Sequence, residues 1–211
     1  LALGLARRRN NLTVCGFYIN MSKTALTAAP ILPVLADRWS PRSFDTNHQL
    51  SQHDLTAILE AARWAPSSNN GQPWRFSIAH RGDALHSAVV DGLTGFNQAW
   101  APNASALIVV SAKKFATDGA PYKSAHYDTG LAVSLLTVQA QELGLHTHQM
   151  GGFLPEKVAD ALSLPDSLEV LVIVAVGKIA DAHQLEGTAY EREIAPRTRL
   201  ALEDIVLHGK P

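Results

Sequence analysis

The chain has 211 residues, 46% of them hydrophobic, enough for one domain with a substantial core. A formal net charge of −1, with no basic block interleaved with aromatics, excludes a general attraction to nucleic acid or to an anionic membrane. Cys15 is the one cysteine, which excludes a disulfide framework or a cysteine-rich metal site and fits a reducing cytoplasm; no apolar run reaches the ~20 residues of a spanning helix.

The chain opens on Leu1 and a short apolar patch followed by Arg7-Arg8-Arg9, without the apolar region of a secretory signal. Met21 begins a more ordinary stretch. Residues 1–29 are therefore read as an N-terminal extension, disordered or non-native upstream of Met21, and residues 30–211 as one domain. No internal repeat or low-complexity linker divides that domain.

In chain order, Pro33 to Arg38 predicts a short helix that ends in the polar stretch R-W-S-P-R-S-F. Ser51 and Asp54 form an S-x-x-D capping box, and Leu55, Ile58, Leu59 and Ala62 follow at helical spacing, giving a helix over about 52–64 that Pro66 ends. Trp74 to Ala79 alternates like a strand, and 83–91 reads as a helix. Ala106–Ala112 and Leu168–Val176 are the strongest strand signals. Between them, 124–143 is a long helix, apolar almost all round from Leu131 to Val138 and so expected to be buried, with Gly144 as its C-terminal stop. His146 to Gln149 is a short strand, and Pro155 opens a further helix at its first position. The interleaving is not a clean βαβ repeat, so the fold class is α+β, helices around a small sheet.

Motifs that carry well-known chemistry are missing: no G-x-G-x-x-G after a strand, no G-x-x-x-x-G-K-[ST], no H-E-x-x-H and no G-x-S-x-G. Other patterns are present. Arg38, Ser40 and Arg42 stand at every second position. Pro41 holds Ser40 extended, so the three side chains can share one side and face one anion, for which a planar guanidinium fork suits phosphate. Taken alone the stretch is equally a solvated turn. Arg197-Thr198-Arg199 repeats the spacing after Pro196, with ion pairs to Glu191 or Glu193 as the plain alternative.

Residues 65–76, A-P-S-S-N-N-G-Q-P-W-R-F, set polar and turn-forming residues between a helix and a strand, either as a loop or as a rack of hydrogen-bonding groups for a ligand. Gly151-Gly152 lets backbone N–H groups approach a flat ligand, or makes an ordinary turn. Asn97, in F-N-Q-A-W, offers the paired donor and acceptor that would read an amide-like ring edge, or closes a turn. His146 and His148 share one strand face without a third metal ligand nearby and read as partly exposed structural residues. His126 reads as a hydrogen-bonded core group, with proton donation as the alternative. No metal site is expected.

Taken in order, R-W-S-P-R-S-F, A-P-S-S-N-N-G-Q-P-W-R-F, F-N-Q-A-W, the D-x-G of the long helix (Asp128, Gly130), G-G-F-x-P and P-R-T-R-L resemble the FMN-dependent nitroreductase family, over about Arg38 to Val206. The resemblance implies a nitroreductase-like α+β fold, a central, mostly antiparallel sheet flanked by helices, in an intertwined homodimer with FMN at the subunit interface. Arg38, Ser40, Arg197 and Arg199 would hold the FMN phosphate, with Trp39 in the same motif. Arg42 and Asn97 would contact the pyrimidine edge. Ser67, Ser68 and Asn70 would come from the partner subunit, and a backbone N–H of Gly151 or Gly152 would face flavin N5. The residues agree with these roles: guanidiniums and a hydroxyl suit a phosphate, and a cation near N1/O2 stabilises an anionic reduced flavin.

The sequence departs from the family pattern at Trp100, where several members have Lys, at Gly151, where many have an acid, and in the short 113–123 region. The implied activity is hydride transfer from NAD(P)H to FMN N5 and on to a nitroaromatic, quinone or related acceptor in a ping-pong cycle. The alternatives are a relative reducing an enal, an aldehyde or free flavin, and a non-catalytic flavin-binding protein.

Overall fold

The computed structural model describes residues 23–209. The expectation about residues 1–20 lies outside them. Residues 23–29, placed above in the extension, are described: Ala25 N–H donates to the Ala36 carbonyl at 2.8 Å and Thr24 Oγ1 to Asp37 Oδ1 at 2.6 Å.

Four strands form one sheet in the order β1-β2-β4-β3: β1 (Trp74–His80), β2 (Ala106–Lys113), β3 (His146–Met150) and β4 (Leu168–Gly177). Every pairing is antiparallel, and one register shift lies between Val110 and Ser111. Helices cover both faces. Leu107, Val109, Ile173 and Ala175 join one core with Val89 of α3 (Ala84–Gly92) and Val158 of α6 (Pro155–Ala161). Their alternates Ile108, Val110, Val174 and Val176 join a second core with Ile58 of α2 (Gln52–Arg63) and Leu136 of α5 (Ala125–Glu142). A strand covered on both sides has no polar face to show, which is why Ala106 to Ala112 is so nearly continuous in apolar residues. No helix among the described residues is long and apolar enough to cross a membrane.

Local signals account for most helix ends. Ser51 Oγ accepts from Asp54 N–H at 3.0 Å and caps α2. Gly144 adopts φ +71° just past α5, a left-handed turn that glycine enters without steric cost. The short helices α1 (Pro33–Asp37), α4 (Asn97–Trp100), α7 (Gly187–Ile194) and α8 (Leu202–Ile205) complete the chain. The expectation that α5 is buried all round is corrected. Ala132, Val133 and Leu136 are buried and Leu131 packs partly buried against the same core, but Tyr127 and Leu135, two helical turns apart, are exposed among the described residues, at 71% and 38%.

Candidate functional site: an arginine cluster, a clamped strip and a strained loop

The strip Arg38–Phe44 leaves α1 in extended conformation, Arg38 itself at φ −63° and ψ 127°, and ends where Phe44 bridges Ile179. Arg38 Nη1 lies 3.4 Å from Ser40 Oγ. Arg38 is half-buried, and its guanidinium is pushed below its ordinary pKa first by burial and then by the charges of Arg197 and Arg199. Arg197 is likewise lowered by burial and by Arg199, with Asp37 opposing. The P-R-T-R segment therefore lies beside the strip, although some 160 residues apart in sequence. Guanidiniums gathered in this way can together face an anion. The ion pairs of Arg197 or Arg199 with Glu191 or Glu193 are not formed. Instead Arg197 Nη1 donates to the carbonyls of Lys23 and Ala36, and Arg199 Nη1 to that of Thr198. Trp39 packs edge-on to His146 at 6.4 Å, with Lys23 Nζ 5.0 Å from its ring centre.

The second half of the strip is clamped from two sides. Glu193, 2% exposed on α7, accepts from Arg42 N–H at 2.7 Å and Ser43 N–H at 3.2 Å. Burial pushes its carboxyl up; those two N–H groups and the charges of Arg42 and Lys23 pull it back. His148 Nδ1 sits 2.9 Å from the Pro41 carbonyl, which can only accept, so Nδ1 carries the proton. Burial takes the pKa of His148 down to about 4, with Arg42 adding to the shift and the Pro41 bond opposing it.

The Arg42 guanidinium carbon stands 5.6 Å from the centre of the Phe96 ring, and its buried Nε meets no acceptor among the described residues. Next to Phe96, Asn97 Nδ2 donates to the Gly152 carbonyl at 3.3 Å, which Thr94 N–H also reaches at 2.9 Å. A Cβ at Gly152 would come within 2.9 Å of Asn97 Nδ2, whereas Gly151 is exposed with open space around it. Arg42, Phe96, Asn97 and the glycine pair thus make one contiguous edge.

Ser67, Ser68 and Asn70 belong to a separately held loop. Buried Asp128 of α5 accepts from Ser68 N–H at 3.1 Å and from Ser124 Oγ at 3.0 Å, and Tyr122 hydroxyl donates to the Ser68 carbonyl at 3.3 Å. Ser67 Oγ accepts from Gln72 N–H at 3.0 Å. Asn69, Asn70 and Gln72 all have positive φ, at 51°, 53° and 45°. Asn tolerates that region; for Gln72 the strain is roughly 1–3 kcal/mol, the kind that gathers where a loop serves a ligand. The loop hangs on α5 and the 122–124 turn, not on the arginine cluster.

Sequence reasoning missed Glu193 and the anchoring role of Asp128. No local signal marks Glu193 as the clamp: only the fold shows that it is buried with Ala189 on α7 against the strip. Trp100 is fully buried, stacked on Phe44 at 6.2 Å and tilted on His148 at 4.5 Å, so it is a core residue. The core placement expected for His126 is corrected: its side chain is 65% exposed, with Nε2 2.9 Å from Glu169 Oε2.

Comparison with known proteins supplies the lineage. A crystal structure described as an oxidoreductase containing FMN superposes with a TM-score of 0.82 at 37% identity, over 88% of this chain and 94% of that one. A protein from Exiguobacterium sibiricum 255-15, solved in complex with FMN, superposes at 0.71 with 26% identity, over 86% and 98%. The oxygen-insensitive NADPH nitroreductase of Helicobacter pylori is 36% identical over 81 residues, 38% of each chain. The model of the nitroreductase family matches residues 35–91 and 83–178, and the chain belongs to that family.

Proposed function

We propose that the protein is an NAD(P)H-dependent FMN oxidoreductase of the nitroreductase type. The observation that carries this reading is the convergence of Arg38, Ser40, Arg197 and Arg199 from opposite ends of the chain. The donor set fits FMN: guanidiniums and a hydroxyl for a phosphate dianion, an unpartnered buried Arg42 Nε and the Asn97 carboxamide for a pyrimidine edge, and glycine backbone for close approach of a flat ring. Similarity to two FMN-containing structures supports it.

When bound, FMN supplies the two-electron chemistry at N5, between NAD(P)H and an acceptor such as a nitroaromatic or quinone. The chain's own residues bind and orient. Arg38, Ser40 and Arg199 hold the phosphate, with Arg197 fixing the backbone around them; Trp39 packs behind the strip. Arg42 and Asn97 would receive the pyrimidine edge, and a Gly151 or Gly152 N–H would face N5. Glu193 and His148 keep the Arg42 backbone in register. In the proposed ping-pong cycle, a hydride donor and then an acceptor would meet the flavin in turn.

The reading includes a homodimer in which Ser67, Ser68 and Asn70 serve the partner's cofactor. The exposed Tyr127 and Leu135 on α5 and the separate anchoring of the 67–72 loop support it. It also places the enzyme in the cytoplasm, where NAD(P)H is supplied. The test is anaerobic mixing of FMN-reconstituted protein with NADH and with NADPH. Bleaching of the flavin absorbance band by either donor, and its return on adding a nitroaromatic or quinone, is the expected result. Protein that retains no FMN overturns the reading.

A further inference from the structure

Two guanidiniums converge on one aromatic ring. The Arg192 guanidinium carbon stands 4.6 Å from the Phe96 ring centre and that of Arg42 5.6 Å. The ring attracts each cation but neutralises neither. Among the described residues no carboxylate pairs with Arg192, and its chain neighbour Glu193 is engaged with the backbone N–H groups of Arg42 and Ser43. Arg192 and Arg42 feel each other: after burial and against Glu193, Arg192 is among the causes that lower the Arg42 pKa. Glu193 offsets part of the charge at Arg42, but its oxygens are taken up by the strip's N–H groups and no carboxylate among the described residues pairs with Arg192 across the ring, so two cations beside Phe96 leave a place for a further anion. The place is also specific, because Phe96 precedes Asn97, whose carboxamide reaches Gly152.

We propose that Arg192 is a second flavin-directed cation, which together with Arg42 stabilises the negative charge that builds on the N1–C2=O end of the flavin when hydride enters at N5. The inference rests on the FMN reading above. The balance is simple. NAD(P)H gives up two electrons and a proton as hydride and leaves as NAD(P)⁺; the N–H forms at N5, and the remaining negative charge settles at N1–C2=O. Arg192 acts on that charge and transfers no proton. A cation present in both redox states but felt more strongly by the reduced one raises the potential of the bound flavin.

The test uses FMN-loaded wild type, Arg192→Gln, Arg192→Lys and Arg42→Gln. Sulfite, which adds at N5 and loads the same end with negative charge, reports the local cation without turnover, and dye equilibration reports the two-electron potential. Arg192→Gln is expected to keep FMN while weakening sulfite binding about tenfold. The same factor in the flavin couple is a fall of about 30 mV. Arg192→Lys is expected to restore most of both, and Arg42→Gln to shift both in the same direction as Arg192→Gln. Unchanged sulfite affinity and potential in FMN-loaded Arg192→Gln overturn the proposal. A rise in KM for NADPH but not NADH, with the potential unmoved, also overturns it and assigns Arg192 to the nucleotide's extra phosphate. Wild type that takes up no FMN fails earlier and overturns the parent reading with it.

Discussion

Replacing Arg38 and Arg199 together by Ala removes two of the guanidiniums that share the strip's end. A charge-assisted hydrogen bond contributes about 1.5–3 kcal/mol, so FMN retention is expected to fall by on the order of 10²-fold or more, read by flavin fluorescence titration. His148 gives a pH signature. Its pKa is held down to about 4 in the folded chain, against about 6.5 when unfolded. A depressed pKa contributes stability that is complete above the unfolded value and lost as pH falls toward the folded one. Folding stability should therefore be full above pH ~6.5 and fall progressively between ~6.5 and ~4, by at most ~3 kcal/mol, as the buried ring takes up charge while keeping its bond to Pro41. Urea titrations across that window should show a slope that His148→Gln flattens. Of these residues, the arginines were legible in the sequence because R-x-S-x-R and R-x-R announce a donor set by spacing. The clamps were not: Glu193 acts through backbone N–H groups 150 and 151 residues away, and nothing local records such a partner.

At the scale of elements, α2 was legible because its cap, stripe and stop are all local. Ser51→Ala deletes the acceptor for Asp54 N–H and should cost about 1 kcal/mol in chemical denaturation, with the m-value unchanged. The central strands were legible for a related reason, since burial on both faces leaves an unbroken apolar run. Short α1 was legible as well, through Pro33, but α4 and α8 were not. α4 and α8 each have four residues, too few for a hydrophobic period to show. Trp100 shows the complementary limit: a lone aromatic in a polar stretch can face a ligand or the core, and only the packing of Phe44 and His148 around it decides for the core.

For the whole molecule, α5 leaves Tyr127 and Leu135 on an open apolar face. Its apolar residues predicted burial correctly as a demand, but the described chain meets that demand on one side only. If the proposed homodimer forms through this face, Leu135→Lys is expected to shift the protein from dimer to monomer in sedimentation. In the same variant FMN occupancy should fall in parallel, since the 67–72 loop would no longer meet the partner's site. A monomeric variant with full flavin occupancy would show instead that each chain completes its own site.

The bonds from Arg197 to the carbonyls of Lys23 and Ala36 also set an order in time. They span 174 and 161 residues, so closing them joins two stretches that the chain produces far apart. A chain stopped just before Pro196 still carries all four strands and α2 to α6, yet lacks two of the arginines of the cluster. If the cluster holds the phosphate as proposed, sheet and core can form first, and a phosphate can be captured only once the 196–200 segment has docked, which makes that segment the last piece of the site to close.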